Sequence, residues 1–207
     1  MCIRDRDTRA AGAGQLFFAL KGENFNGNAY AQQAIEAGCI AAVVDESEYA
    51  PPGDPRFILV PDALAALQSL ARWHRRKWSC PVIGLTGSNG KTTTKELMKC
   101  VLEAAHSHVH ATVGNFNNHI GVPLTLLAAR AEPDIAIIEM GANAQKEIAL
   151  LAEIAEPNAA VITNIGRAHL EGFGGEEGVI KGKGELFDYI RNARPESPVF
   201  THGNHPK

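Results

Sequence analysis

The stretch Val82-Ile83-Gly84-Leu85-Thr86-Gly87-Ser88-Asn89-Gly90-Lys91-Thr92-Thr93-Thr94-Lys95 decides how this chain is read. Pro81 to Leu85 is an apolar run of strand length, two glycines follow, and Lys91 to Ala105 carries helical periodicity. Strand, glycine loop, Lys-Thr and helix together compose a phosphate cradle. Glycines let backbone N–H groups close on phosphate oxygens, and a helix N-terminus adds the positive end of its dipole. Gly87, Ser88, Asn89, Gly90, Lys91, Thr92 and Thr93 are therefore the candidate nucleotide-binding residues. Lys91 would neutralise the outer phosphates and the Thr92 hydroxyl would ligate a magnesium ion. The strict phosphate-loop pattern places its first glycine where Leu85 stands, whereas Gly84 falls one position early. The loop is thus a variant, Thr-Gly-x-x-Gly-Lys-Thr, and its bland alternative is a β–α turn that holds no ligand.

Composition sets wider bounds. A chain of 207 residues, 45% of them hydrophobic, makes one large or two small domains with a real core. A net charge of −3 argues against a broad nucleic-acid surface. No apolar run reaches membrane-spanning length; Ile40–Val44 and Phe57–Val60 are strand-sized. The N-terminus carries no apolar signal core, and Cys2, Cys39, Cys80 and Cys100 are scattered without metal-ligand spacing. Both features point to reduced thiols in a cytoplasmic protein. Met1–Arg6 is a charged opening that fits no element after it.

Two segments emerge on either side of Ser79-Cys80-Pro81, giving expected domains 1–78 and 79–207. In the first, Leu16–Leu20 and Ile40–Asp45 read as strands around a helix over Ala29–Ala37 that Gly38 ends. Phe57–Val60 is a further short strand, and Asp62 caps a helix with Leu64, Leu67 and Leu70 on one face. That helix runs into Arg72-Trp73-His74-Arg75-Arg76-Lys77-Trp78, a cationic end that offsets the helix's own dipole. In the second segment strands are expected at Val82–Thr86, His108–Ala111, Asp134–Met140, Ala159–Asn164 and Val199–Thr201. Helices are expected at Lys91–Ala105, Val122–Arg130, Ala144–Ala155 and Glu176–Arg191. This α/β rhythm, with near-continuous apolar strands such as Ile135-Ala136-Ile137-Ile138, implies a parallel sheet covered on both faces. Ligands gather at the carboxyl ends of such strands.

The chemically suggestive residues fall at those ends. Glu139 closes the Ile-rich strand and is placed to hold magnesium opposite the phosphate loop. His169 follows the strand Ala159–Asn164; magnesium prefers oxygen, so by metal chemistry alone it is a polar loop residue. Lys181 and Lys183 read by pattern as helix-surface lysines. Asn115-Phe116-Asn117-Asn118 serves either turn geometry or substrate hydrogen bonding, and spacing leaves both open. His106, His108 and His110 would share one strand face, but no fourth ligand accompanies them. Glu153, Glu156, Glu176 and Glu177 read as solvated helix faces.

Taken together, these motifs resemble the Mur ligase family, the ATP-dependent amide-bond ligases of peptidoglycan assembly. The pieces that match are Thr86 to Thr92, Glu139 before Met-Gly-Ala-Asn, and Asn164 to His169. Leu20 to Gly27, Gly114 to Leu127, Glu139 to Ile148 and Ala168 to Gly174 are similar to the branch that joins D-alanyl-D-alanine to UDP-N-acetylmuramoyl-tripeptide (UDP-MurNAc-tripeptide). A sister ligase of the family, a folylpolyglutamate synthetase-like enzyme or an inactive nucleotide-binding fragment are the alternatives. The resemblance implies a small N-terminal α/β domain for the UDP part, followed by a parallel-sheet ATPase of the P-loop type, with the chain a truncated piece of a longer monomeric ligase. It implies ATP and Mg2+ as cofactors, with His169 joining Thr92 and Glu139 as a metal ligand. It makes Lys183 a lysine carbamylated by carbon dioxide, with catalytic weight on Lys91, Lys183 and His169. Asp7, Thr8, Arg9, Lys21, Gly22, Asn117 and Asn118 become substrate contacts. Asn26 and Asn28 depart from the Asp and His common in the family's uridine loop.

Overall fold

The computed structural model describes residues 14–129, 131–166 and 169–201. The contacts divide the chain into two units, Met1–Leu70 and Ala71–Lys207. The joint expected at Ser79–Pro81 lies inside the second unit. Asp7, Thr8 and Arg9 fall outside the described residues.

In the first unit β1 (Leu16–Phe18), β4 (Ala41–Val44) and β5 (Phe57–Leu59) form a three-stranded parallel sheet in the order β1-β4-β5. Between β1 and β4 lie a hairpin of β2 (Lys21–Gly22) and β3 (Phe25–Asn26), a 3-10 turn at Gly27–Tyr30, and α1 (Ala31–Glu36). Sequence periodicity merges that turn and α1 into one helix; in the structure the first turn is tighter because Asn26 Oδ1 accepts the Asn28 N–H. Gly38 takes φ 101° just past the helix, the left-handed stop its position implied. Phe17, Ala31, Ala34, Ile35, Ala42, Val44 and Phe57 close a small core. Next, α2 (Ala63–Arg75) begins where Asp62 Oδ1 accepts the Ala65 N–H at 2.9 Å, the expected cap.

The second unit is a five-stranded parallel sheet. Its strands are β6 (Val82–Thr86), β7 (Val109–Ala111), β8 (Ile135–Glu139), β9 (Ala159–Ile162) and β10 (Val199–Thr201), in the order β10-β9-β6-β8-β7. The connecting helices are α3 (Lys91–Glu103), α4 (Gly121–Ala128), α5 (Glu147–Ala155), α6 (Leu170–Phe173) and α7 (Glu176–Ala193). Central strands bury both faces, as continuous apolar runs require: Ile135 to Ile138 are at most 8% exposed. The helix expected from Ala144 starts at Glu147, since the Glu147 carboxylate accepts the N–H groups of Asn143 and Ala144 and holds them in a preceding turn. The short α6 has no periodicity of its own to announce it.

Two expectations about charged residues change here and a third is extended. The cations in the last turn of α2 stand where expected and also serve another helix: Arg75, buried, donates to the Ala155 and Glu156 carbonyls at the C-terminus of α5 at 2.8 and 2.9 Å. Arg72 and Arg76 clamp the Glu156 carboxylate, which is therefore no solvated helix face. Burial holds the Arg75 guanidinium below its usual range. Lys183 is no surface lysine, being 1% exposed. It shares the inward stripe of α7 with Val179, Leu186 and Ile190.

Candidate active site

Chain order and strand order together locate the site. From β6 the chain leaves through α3 toward β7 on one side of the sheet, whereas from β9 it leaves toward β10 on the other. β6 and β9 are neighbours with diverging exits, which opens a crevice at their carboxyl ends. The registers bring Thr86 beside Ile162 and Leu85 beside Glu139, so the loops after β6, β8 and β9 emerge together.

The loop after β6 is tied to the loop after β9. Ser88 N–H donates to the Asn164 carbonyl at 3.0 Å and Asn89 N–H to Asn164 Oδ1 at 3.0 Å. Thr163 Oγ1 donates to the Asn89 carbonyl at 2.7 Å, and Ser88 Oγ exchanges hydrogen bonds with the backbone of Gly166. Gly87, at φ 146°, has no room for a side chain, because a Cβ would collide with Thr163 Oγ1. Gly90 takes φ 75° and precedes α3 without a side-chain cap, leaving the first N–H groups of the helix facing the loop. Lys91 Nζ folds over the loop, donating to the Gly87 carbonyl at 2.8 Å, and burial lowers its pKa. Thr93 is exposed on the first turn of α3.

Beneath the loop, Glu139 is 1% exposed at the end of β8. Its Oε1 accepts from Thr92 Oγ1 at 3.3 Å and from Asn117 Nδ2 at 2.8 Å, while Oε2 is buried without a hydrogen-bond partner. A buried carboxylate oxygen left open beside a threonine hydroxyl suits a hard divalent cation, which takes oxygen ligands. The residues present thus fit magnesium.

A cavity of about 430 Å³ opens beside this group, lined by Lys91, Asn117, Asn118, Ala142, Glu147 and His169 among others. His169 sits in it with a left-handed backbone, φ 52°. Asn118 does turn work, its Oδ1 accepting the Ile120 and Gly121 N–H groups at 3.1 and 2.8 Å to start α4. Asn117 instead orients Glu139. Lys183 Nζ donates to the Ala142 carbonyl at 3.2 Å and stands 5.0 Å from the Phe173 ring centre. Burial first, and then the positive charge of Lys91, lower its pKa to about 8.

The sequence reading passed over three residues at this site. Thr112 is buried and its Oγ1 accepts the Glu139 N–H at 2.9 Å. Glu147 lines the cavity. Lys95, 0% exposed, lies 3.9 Å from Glu139 Oε2. A signal for Lys95 existed: it falls at helical spacing from Met98 and Leu102, the inward positions of α3. The three histidines do not gather. His110 Nε2 meets the Thr125 carbonyl at 2.7 Å, and among the described residues no three or more His, Cys, Asp or Glu side chains converge as a metal site.

In the first unit, Lys21 Nζ pairs with Asp45 and Glu46, both at 2.9 Å, which raises its pKa well above the usual lysine range. Burial resists ionisation of Asp45, but hydrogen bonds from Lys21 and Asn28 outweigh it and hold its pKa low. Asn28, 0% exposed, also accepts the Asp45 N–H, while Asn26 donates to Glu46 at 2.9 Å. Gly22 lies exposed in the adjoining hairpin.

Comparison with known proteins agrees with this geometry. Residues 85–199 match the Mur ligase middle domain, and residues 6–75 match the Mur ligase family catalytic domain. The chain is 48% identical over 185 residues to the UDP-N-acetylmuramoyl-tripeptide–D-alanyl-D-alanine ligase of Bacillus subtilis, covering 89% of this chain and 40% of that protein. A crystal structure of MurF from Acinetobacter baumannii superimposes with a TM-score of 0.84 at 36% identity, covering 97% of this chain and 48% of that one. MurF from Thermotoga maritima, solved in complex with ADP, gives 0.83 at 30% identity, covering 97% and 49%. The chain spans about 40% of the length of the curated relatives it matches. With its variant phosphate loop, buried strand-end glutamate and parallel sheet, the chain belongs to the Mur ligase family.

Proposed function

We propose that this chain carries the nucleotide-binding and acid-activating part of a ligase that joins D-alanyl-D-alanine to UDP-MurNAc-tripeptide in peptidoglycan precursor synthesis. The observation that carries the reading is Glu139, buried with one oxygen open, facing Thr92 at the N-terminus of α3 where β6 and β9 diverge. The 48% identity to the UDP-N-acetylmuramoyl-tripeptide–D-alanyl-D-alanine ligase of Bacillus subtilis supports the substrate pair, and the ADP complex of the Thermotoga relative supports an adenine nucleotide.

The residues divide the work by position. Backbone N–H groups from Gly87 to Thr92 would cradle the phosphates of ATP, and Lys91 would exchange its loop carbonyls for phosphate oxygens. A magnesium ion held by Thr92, Glu139 and His169 would neutralise charge on the transferring phosphoryl group. The tripeptide carboxylate attacks the γ-phosphorus and ADP leaves; the D-alanyl-D-alanine amine then attacks the acyl carbon, losing a proton, and phosphate departs. The cavity bounded by Asn117, Asn118, Ala142 and His169 adjoins Lys91 and is where that carboxylate would approach. Losing one charge-stabilising donor from such a site costs on the order of a hundred- to a thousandfold in rate.

Lys183 would act as a carbamate. Its pKa, lowered to about 8, leaves about a tenth of the amine neutral at pH 7, and in that form the nitrogen lone pair can bond the carbon of CO2 with loss of one proton. That reaction turns a buried cation into an anion near the cation site. The first unit would hold the UDP part through Lys21 and Gly22, with Asp7, Thr8 and Arg9. In this reading residues 1–78 and 79–207 are two functional parts of a cytoplasmic, monomeric enzyme.

Calorimetric titration of this chain with Mg-ADP tests the nucleotide site. Binding that weakens at least tenfold in Lys91→Ala and in Glu139→Gln is expected; unchanged binding in both would remove the reading. The substrate pair is tested in a chimera completed with the remaining residues of the Bacillus relative. Phosphate release that requires D-alanyl-D-alanine is expected, and release with a single amino acid instead would move the assignment to a sister ligase.

A further inference from the structure

Lys95 is a fully buried lysine that the mechanism above does not use. It lies one helical turn beyond Lys91 on α3, with no side-chain exposure. Its Nζ approaches the Glu96 carboxylate at 3.0 Å, but without the alignment of a hydrogen bond, and Glu139 Oε2 at 3.9 Å. Glu96 is exposed, so water screens that pair, while Glu139 is buried and its field on Lys95 is barely screened. The one open oxygen of the candidate cation site therefore has a fixed positive charge beside it.

That arrangement has a consequence for order of binding. A divalent cation placed on Glu139 without nucleotide meets the buried ammonium at close range and in low dielectric. A cation that arrives with a nucleotide brings phosphates whose negative charge offsets both. We propose that Lys95 is a positioning residue that makes cation binding at Glu139 conditional on bound nucleotide, by repelling the free ion and tolerating only the ion–phosphate pair. The inference rests on the proposed role of Glu139 in holding the cation.

The test uses Mn2+ as the probe, since its electron paramagnetic resonance signal reports free ion directly. The Mn2+ dissociation constant is measured on this chain with and without saturating ADP, and the ratio of the two is the coupling between ion and nucleotide. A ratio of at least tenfold is expected for the wild type. In Lys95→Met, which keeps the length and removes the charge, nucleotide-free Mn2+ binding should tighten and the ratio should fall at least tenfold. A buried lysine that merely supports the fold would leave that ratio alone. Should Lys95→Met fail to fold, Lys95→Gln, which removes the charge and keeps a polar end, carries the test. The same fall in the ratio is expected of it, and a ratio within twofold of wild type would overturn the inference. A ratio within twofold of wild type in folded Lys95→Met overturns it as well. Glu139→Gln separates the two readings: Mn2+ binding with ADP that survives this change removes the cation site itself, whereas its loss beside an unmoved Lys95→Met ratio removes only the role of Lys95.

Discussion

Replacing Lys183 by Met should stabilise the second unit at neutral pH and do so less as the pH rises. Lys183 is 1% exposed and its pKa falls from 10.5 to about 8, chiefly through burial. Holding the charged form in the folded state then costs about 3 kcal/mol, taking 1.36 kcal/mol for each factor of ten. Removing the side chain also forfeits the hydrogen bond to Ala142 and the contact with the Phe173 ring, together about 1–2 kcal/mol. Met fills most of the volume and adds no unpaired polar atom, so a net gain of about 1–2 kcal/mol is expected at pH 7. The sign follows from proton counting. The native state loses this proton near pH 8 and the unfolded chain near 10.5, so between those values the unfolded state binds more protons. Wild-type stability from this group is depressed below pH 8 and recovers as pH climbs toward 10.5, which erases the advantage of the variant. Urea unfolding of both proteins at pH 7 and 10, followed by circular dichroism, measures the difference directly. A variant less stable than wild type by more than 1 kcal/mol at pH 7 would refute the reasoning, as would a difference that does not move with pH.

Gly87→Ala should abolish measurable nucleotide binding, because the added Cβ collides with Thr163 and pulls the loop after β6 from the loop after β9; titration with Mg-ADP checks it. Arg75→Met should lower stability by about 3 kcal/mol, since the α5 carbonyls of Ala155 and Glu156 lose a charged donor at a buried helix end. Thermal unfolding reads that loss, and a change under 1 kcal/mol would make the cap dispensable.

What the sequence determined by itself was the local pattern. Val82–Thr86 and Val199–Thr201 have the strand limits that periodicity assigned them, the other expected strands differ only at their ends, and the short hairpin of β2 and β3 is the one pair that periodicity did not assign. Apolar alternation and glycine placement are short-range properties, so the phosphate loop, the parallel sheet and the strand-end position of Glu139 could be read residue by residue. Even the left-handed turns at Gly38 and Gly90 need only their own sterics. The tertiary structure decided which charges are buried and what they face. Lys183 and Lys95 sit at inward positions of amphipathic helices, a pattern visible in the sequence, yet a lysine there is ambiguous until the packed partner is known. Arg75 reaches the end of α5 from the far side of a chain excursion of 80 residues, and no local rule links them. Asn117 and Asn118 are adjacent and chemically identical, but one orients Glu139 and the other starts α4, because the turn aims their side chains apart. Burial and distance between remote segments are global quantities: they arise only when the sheet order β10-β9-β6-β8-β7 brings the ends of β6, β8 and β9 to one edge.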